Sequence, residues 1–145
     1  MECCQIELSS SPEETEALGE ELVLKLKSGS VIALYGTLGA GKTCLVKGIA
    51  RGLGITEIIT SPTYTIINEY SGSMGDNAVT LYHIDAYRLS GDEDFESTGA
   101  GEFISAGGIT IIEWSDRIPH SIPSDAITIH IEITGLQSRI FTIKQ

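Results

Sequence analysis

The chain has 145 residues and a formal net charge of −11, with 9 Lys and Arg against 20 Asp and Glu. This length suits a single domain, residues 1–145, and leaves no room for a separate substrate domain. The acidic excess disfavours direct binding to DNA or RNA, which relies on basic side chains, and the 3 cysteines lack a metal-binding spacing. No segment resembles a signal peptide or a membrane span, so we expect a cytoplasmic protein that does not contact a membrane.

The first predicted element is a helix that begins after Ser11. Ser11 is a typical capping residue, Pro12 takes the first helical position and Glu14 the third. Leucine then recurs at every fourth residue until Gly29. These features predict an amphipathic helix that packs its leucine face against the rest of the domain.

A phosphate-loop pattern follows a predicted strand. Residues 30–35 are mainly apolar and rich in strand-forming side chains, and the next eight are Gly36-Thr37-Leu38-Gly39-Ala40-Gly41-Lys42-Thr43. These eight satisfy G-x-x-x-x-G-K-[ST] at every fixed position. Apolar residues at helical spacing continue to Gly54. Such a unit of strand, loop and helix directs free backbone N–H groups and the positive end of a helix dipole at phosphates.

This unit predicts a binding site for a nucleoside triphosphate. Its glycines let the backbone approach the β-phosphate, Lys42 would reach the β- and γ-oxygens, and the Thr43 hydroxyl would bind Mg²⁺. Ser11 precedes the strand and is a further candidate contact, although helix capping is the favoured interpretation. No N-K-x-D segment for guanine is present, which favours ATP over GTP.

Residues 64–70 and 79–85 are predicted to form a hairpin joined by a turn over residues 71–77. In the loop before this hairpin, Ser61 and Thr63 flank a proline. Their hydroxyls could meet the γ-phosphate, as in switch loops, or the loop could be only a turn that starts the strand. The sequence leaves these two interpretations equal.

The second half of the chain completes the predicted fold. Residues 90–108 are acidic and rich in glycine, which indicates one or two short helices in a mobile segment. Residues 109–114 are predicted as a buried strand, and residues 127–133 and 140–143 as a final pair of strands. We therefore expect an α/β fold: a three-layer P-loop NTPase domain with a mixed, partly antiparallel sheet.

Two predicted strands end in a carboxylate, which hydrolysis of a triphosphate needs in order to hold Mg²⁺. Glu113 ends the more apolar strand and is the favoured metal ligand, as in a Walker B strand. Asp85 ends the other strand and could hold the metal instead, or orient the attacking water. Arg88 could donate charge to the phosphoryl group or form a surface ion pair. Trp114 could pack near the nucleotide, or in the core or an interface.

Four segments occur together in one short acidic chain: the phosphate loop, Ser-Pro-Thr-Tyr at 61–64, His-Ile-Asp-Ala-Tyr-Arg-Leu at 83–89 and Ile-Glu-Trp at 112–114. Together they resemble the TsaE (formerly YjeE) family, small bacterial ATPases of the tRNA threonylcarbamoyladenosine pathway. The resemblance covers roughly residues 11–133. Carried over by position, it implies that Gly39, Ala40, Gly41, Lys42 and Thr43 bind the phosphates, that Thr43 and Glu113 bind the metal, that Asp85 acts in hydrolysis and that Trp114 lies close to the nucleotide. We add Gly36, Leu38 and Cys44 as candidate nucleotide contacts of the same loop, and Lys42 as a candidate catalytic residue beside Asp85.

The resemblance also implies an ATPase that uses ATP and Mg²⁺, is weakly active alone, and works with the threonylcarbamoyl transferase subunit TsaD and its inactive paralogue TsaB. In that family ATP hydrolysis is associated with turnover of the complex, and tRNA would be reached only through it. A small P-loop kinase of a metabolite and a nucleotide-dependent binding switch are the alternative functions. The chain departs from the family at Thr37, where relatives usually have Asp, and at Cys44, where they have Thr or Ser.

Overall fold

A computed structural model describes residues 4–36, 41–62, 66–104 and 106–145 of the chain. The helices in these ranges are α1 (Pro12–Leu22), α2 (Lys42–Gly52), α3 (Asp92–Thr98) and α4 (Gly101–Ile104). The strands are β1 (Cys4–Ser9), β2 (Val31–Tyr35), β3 (Ile67–Met74), β4 (Asn77–Asp85), β5 (Ile109–Glu113), β6 (Ile127–Ile133) and β7 (Arg139–Lys144). None of the helices described is long and apolar enough to cross a membrane.

The strands form one mixed sheet in the order β1-β7-β6-β2-β5-β4-β3. The central strands β6, β2, β5 and β4 run parallel, whereas β7, β1 and β3 join antiparallel. β2 and β5 are almost entirely buried and apolar, as expected for parallel strands that are covered on both faces. The predicted α/β fold with a mixed, partly antiparallel sheet is confirmed.

Helices cover the two faces of the sheet to give three layers. On one face, Leu45 and Ile49 of α2 pack with Leu22 of α1 against the sheet residues Ile32 and Ile111. On the opposite face, a second core cluster combines residues of α3, the sheet and the segment after β5: Phe95, Ile118, Val31, Ile84 and Ile112. The alternation of side chains along each strand explains this division, because adjacent residues of β2 and β5 point to opposite faces.

Glycines allow α1 and α2 to touch through their backbones. A Cβ atom on Gly48 would lie 2.0 Å from the carbonyl oxygen of Glu16, and one on Gly19 would lie 2.4 Å from that of Leu45. Arg51 also donates a 2.8 Å hydrogen bond to the carboxylate of Glu16 across the same pair of helices. The position of α2, which begins at the phosphate-loop lysine, is therefore tied closely to α1.

Two local predictions differ from the structure, and one strand was not foreseen. The first helix ends at Leu22 and continues only as a 3₁₀ turn, Val23–Lys25, rather than reaching Gly29. The turn predicted over 71–77 is wrong, because β3 continues to Met74 and the turn is confined to Gly75 and Asp76. β3 is an edge strand, so its small polar residues remain in contact with water. The strand β1 was not predicted.

Candidate functional site

Parallel pairing brings the predicted carboxylates side by side at one edge of the sheet. Asp85 at the end of β4 lies opposite Glu113 at the end of β5, and β2, the next strand, ends beside them at Tyr35 and leads into Gly36. Leu81 packs on the face covered by α2, so the alternation along β4 directs Asp85 to that face as well. The carboxyl ends of parallel strands are the usual place for ligands in α/β sheets.

Lys42 lies at the centre of this edge, in the first turn of α2. Its Nζ donates a 2.9 Å hydrogen bond to the carbonyl oxygen of Gly36 and lies 3.9 Å from the ring centroid of Trp114. Burial lowers the pKa of Lys42, while the nearby charges of Glu113, Asp85 and Asp116 oppose that shift. The ammonium is therefore held between the phosphate-loop strand and the segment after β5, with carboxylates around it.

Glu113 is buried, with 4% of its surface exposed, and its Oε2 lies 2.5 Å from Nε2 of His83. His83 is itself fully buried on β4, two residues before Asp85 and therefore on the same face of the sheet. No role was assigned to His83 from the sequence, and its pairing with Glu113 was missed. A signal was present in the sequence: His83 precedes the strand-end carboxylate Asp85 by two residues, which places both side chains on the face where the candidate site lies.

Asp85 is half-buried and makes a different set of contacts. Its Oδ1 accepts a 3.0 Å hydrogen bond from the backbone N–H of Tyr87. Burial raises the pKa of Asp85, and the charge of Glu113 adds to this, whereas the Tyr87 N–H, His83 and Lys42 act in the opposite direction. The two neighbouring carboxylates thus have distinct surroundings: Glu113 is buried and pairs with a buried histidine, whereas Asp85 is half-buried and accepts a hydrogen bond from a backbone N–H.

Trp114 adopts a backbone conformation that is uncommon for a residue other than glycine, with φ of +58° and ψ of +42°. This conformation turns the chain at the end of β5 into a 3₁₀ turn, Ser115–Arg117. The indole ring contacts the Tyr87 ring at a centroid distance of 4.9 Å, and the Arg117 guanidinium lies 5.4 Å from the Tyr87 ring. Trp114 thereby covers Lys42 on one side of the candidate site.

The other predicted site residues occupy varied positions. Ser11 caps α1, since its Oγ accepts a 3.1 Å hydrogen bond from the N–H of Glu14. Gly41, at φ +98°, leads into α2, and Thr43 and Cys44 are partly buried in its first turn. Ser61 is partly buried and Arg88 is exposed. Thr37, Leu38, Gly39, Ala40 and Thr63 lie outside the described residues.

Arg139, at the start of β7, lies beside the phosphate loop and was not predicted. A Cβ atom on Gly41 would approach its Nε to 3.8 Å. Its Nη1 also donates hydrogen bonds to the carbonyl oxygens of Gly135 and Ser138, at 3.1 and 2.9 Å. The antiparallel pairing of β7 with β6 returns the chain to this edge, and no local motif signals such a return.

A cavity of about 550 Å³ opens next to the site, between the end of β2 and the end of β6. Tyr35, Trp114 and Asp116 line it together with His130, whose ring stacks on Tyr35 at a centroid distance of 4.6 Å. A larger cavity, of about 630 Å³, lies at the opposite edge of the sheet and is lined by residues such as Tyr82 and Gly107. The larger cavity is remote from the carboxylates, so its volume does not identify the site.

The donor set of the site suits Mg²⁺ bound together with a phosphate ligand. A bound Mg²⁺ would be held by the carboxylate of Glu113 and the hydroxyl of Thr43, which are the hard oxygen donors that Mg²⁺ prefers. Among the described residues, no group of three or more His, Cys, Asp or Glu side chains is placed to hold a metal ion by itself. Sites of this kind take few protein ligands and complete the coordination with phosphate oxygens and water.

The fold, and the residues gathered at the carboxyl ends of its parallel strands, define the class of protein: an α/β protein that resembles the P-loop NTPases. Residues 9–141 match the family described as "Threonylcarbamoyl adenosine biosynthesis protein TsaE", and the chain belongs to this family. The resemblance predicted from the four sequence segments is confirmed.

Individual relatives match over most of their length. The TsaE protein of Treponema pallidum is 42% identical over 136 residues, which cover 94% of this chain and 97% of that protein. The TsaE protein of Bacillus subtilis is 40% identical over 132 residues, covering 91% and 80%. The crystal structure of Bacillus subtilis YdiB superposes with a TM-score of 0.81 at 35% identity, covering 99% of this chain and 86% of that one.

Proposed function

We propose that this chain is an Mg²⁺-dependent ATPase of tRNA threonylcarbamoyladenosine biosynthesis. The family description and the names of its relatives support the pathway. The observation that carries the ATPase activity is the convergence of Lys42, Asp85 and Glu113 where β2 leads into the phosphate-loop sequence. Hydrolysis of a triphosphate needs a phosphate cradle, a metal-binding carboxylate and a group that orients water, and our candidates for these roles are the phosphate-loop sequence, Glu113 and Asp85.

Phosphate binding is assigned to the loop of Gly36, Gly41 and the residues between them. Lys42 exchanges its hydrogen bond with the carbonyl oxygen of Gly36 for the β- and γ-oxygens of ATP. The ammonium is already beside Gly36 and partly desolvated, which lowers the cost of this exchange. Trp114 remains beside Lys42 and packs near the nucleotide.

Metal binding is assigned to Thr43 and Glu113. The ion would supply charge neutralisation for the β- and γ-phosphates when it is bound. Glu113 needs no large rearrangement to serve as a ligand, since its carboxylate already ends β5 at this edge and is held by His83.

Asp85 is assigned to the orientation of the attacking water. Its carboxylate is less buried than that of Glu113, and the Tyr87 N–H holds one oxygen in place. The raised pKa of Asp85 suits a group that accepts a hydrogen bond or a proton from water. Ser61 and Thr63 are assigned to the loop that meets the γ-phosphate.

The proposed partners are the transferase subunit TsaD and its paralogue TsaB. The net charge of −11 disfavours direct contact with tRNA, so the partner proteins would supply the basic surface that tRNA requires. ATP hydrolysis by this chain would support turnover of that complex.

The chemistry is tested by following labelled γ-phosphate from ATP. We expect release as inorganic phosphate in the presence of Mg²⁺, and loss of that release in Lys42→Ala and Glu113→Ala. Lys47→Ala is the matched control, because Lys47 is exposed on the same helix and should leave turnover unchanged. Transfer of label to a metabolite would contradict hydrolysis and favour a kinase, and tight ATP binding without turnover would favour a binding switch.

A further inference from the structure

The pair formed by His83 and Glu113 carries an inference beyond the roles given above. His83 has no exposed surface, and its Nε2 lies 2.5 Å from Oε2 of Glu113. Its other ring nitrogen, Nδ1, is buried without a hydrogen-bond partner among the described residues. Burying a polar ring with one unsatisfied nitrogen costs free energy, and the hydrogen bond to Glu113 is the contact that offsets this cost.

The hydrogen-bond pattern assigns the tautomer of the ring. A carboxylate accepts hydrogen bonds, so Nε2 carries the proton and donates to Glu113. Nδ1 then holds only a lone pair, whereas the opposite tautomer would bury an N–H without an acceptor. His83 is thus a donor aimed at one oxygen of the carboxylate that ends the adjacent strand.

We propose that His83 is a positioning residue for Glu113, and that its Nε2–H fixes the carboxylate in the orientation that binds Mg²⁺. This inference rests on the proposed role of Glu113 as a metal ligand. A hydrogen bond to one oxygen limits rotation of the carboxylate, so less freedom is lost when the metal binds. Donors behind a metal ligand are known to act in this way, and their removal weakens metal binding.

The groups around Glu113 explain why its carboxylate would have no fixed orientation without His83. Glu113 lies at the end of β5, and the residue that follows, Trp114, turns the chain sharply at φ +58°. The nearby cation, Lys42, is directed at the carbonyl oxygen of Gly36 and at the Trp114 ring. Among the described residues, His83 is therefore the side chain that holds the Glu113 carboxylate by a hydrogen bond.

The test compares His83→Gln with His83→Met in the full chain. The two replacements have similar length and volume, but only glutamine can donate a hydrogen bond to Glu113. Affinity for Mn²⁺, used as the probe for Mg²⁺, is measured by electron paramagnetic resonance with bound ADP. Affinity for ADP without metal, together with thermal melting, reports whether the fold and the phosphate loop survive.

We expect His83→Met to weaken Mn²⁺ binding by roughly 10- to 100-fold while metal-free ADP affinity is retained. His83→Gln should recover most of that loss. Wild-type Mn²⁺ affinity in His83→Met, or an equal loss in both variants, would overturn the proposal. If His83→Met does not fold, His83→Asn replaces it, because its shorter amide cannot reach Glu113. Wild-type Mn²⁺ affinity in His83→Asn, or an equal loss in His83→Asn and His83→Gln, would then overturn the proposal.

Glu113→Ala separates this inference from the proposed function. Loss of Mn²⁺ binding in Glu113→Ala with normal binding in His83→Met would overturn only the role of His83. Normal Mn²⁺ binding in both would contradict Glu113 as the metal ligand. ATP turnover by the wild-type chain is measured in the same series and tests the ATPase activity independently.

Discussion

At Asp85, the role that we propose and the stability of the fold make opposite demands. Burial raises its pKa, which means that the folded state binds the proton of Asp85 more tightly than the unfolded chain does. The contribution of this group to stability is fully present below its unfolded pKa and is lost as pH rises through its folded pKa. At neutral pH, the ionised carboxylate of Asp85 therefore opposes folding.

We predict that Asp85→Asn raises the melting temperature at neutral pH and abolishes ATP turnover. Asparagine keeps an oxygen that can accept the hydrogen bond from the Tyr87 N–H but carries no charge. The stability gain should shrink as pH falls through the raised pKa and vanish below the ordinary pKa of aspartate. Thermal melts of both proteins across this range measure it. A variant that is less stable than the wild type at neutral pH would contradict the argument.

The sequence predicted some residues of the candidate site and missed others for a physical reason. Asp85 and Glu113 were predictable because each ends an apolar strand, and parallel strands end at a common edge. His83 and Arg139 were not, because their importance depends on which strands become neighbours. The sequence favoured Glu113 as the metal ligand but left Asp85 as an alternative; in our proposal, the buried contact with His83 supports Glu113.

The contact between α1 and α2 is the feature on which the placement of the phosphate-loop helix depends. The backbones approach so closely that a Cβ atom on Gly48 would lie 2.0 Å from a carbonyl oxygen of α1. We predict that Gly48→Ala lowers the free energy of unfolding by about 1–3 kcal/mol, because separating the helices outweighs the better helix propensity of alanine.

Urea denaturation measures this change, with Lys47→Ala as the control. Lys47 is exposed on the same helix, so its substitution should alter the free energy of unfolding by less than about 0.5 kcal/mol. Gly48→Ala as stable as the control would show that the helices are not in backbone contact.

Central elements were more predictable than elements at the edges of the sheet. β2, α2, β5 and the final pair β6 and β7 follow clear apolar patterns, and the structure has them close to the predicted bounds. β1 was missed because its partner, β7, is more than one hundred residues away, and its Ile6 and Leu8 are exposed rather than buried. The end of β3 was placed too early, at residue 70 rather than Met74, because an edge strand tolerates serine and glycine.

The charge of the whole molecule predicts how it relates to tRNA. With 20 acidic against 9 basic side chains, the isolated chain should not bind tRNA at physiological salt. We expect no shift of labelled tRNA in a native gel with this chain alone, and a shift only when the transferase pair is present. The pair without this chain is the control for tRNA binding by the partners. Saturable binding of tRNA to the isolated chain would contradict the proposed division of roles.

The whole molecule is proposed to act as a partner-dependent ATPase, and one measurement tests this most directly. ATP hydrolysis is measured with Mg²⁺ for the wild-type chain and for Glu113→Ala, each with and without the purified TsaD and TsaB proteins. We predict weak turnover by the wild-type chain alone, a clear change in its rate when both partners are added, and none in Glu113→Ala under either condition. An unchanged rate in the presence of the partners, or full activity of Glu113→Ala, would contradict the account.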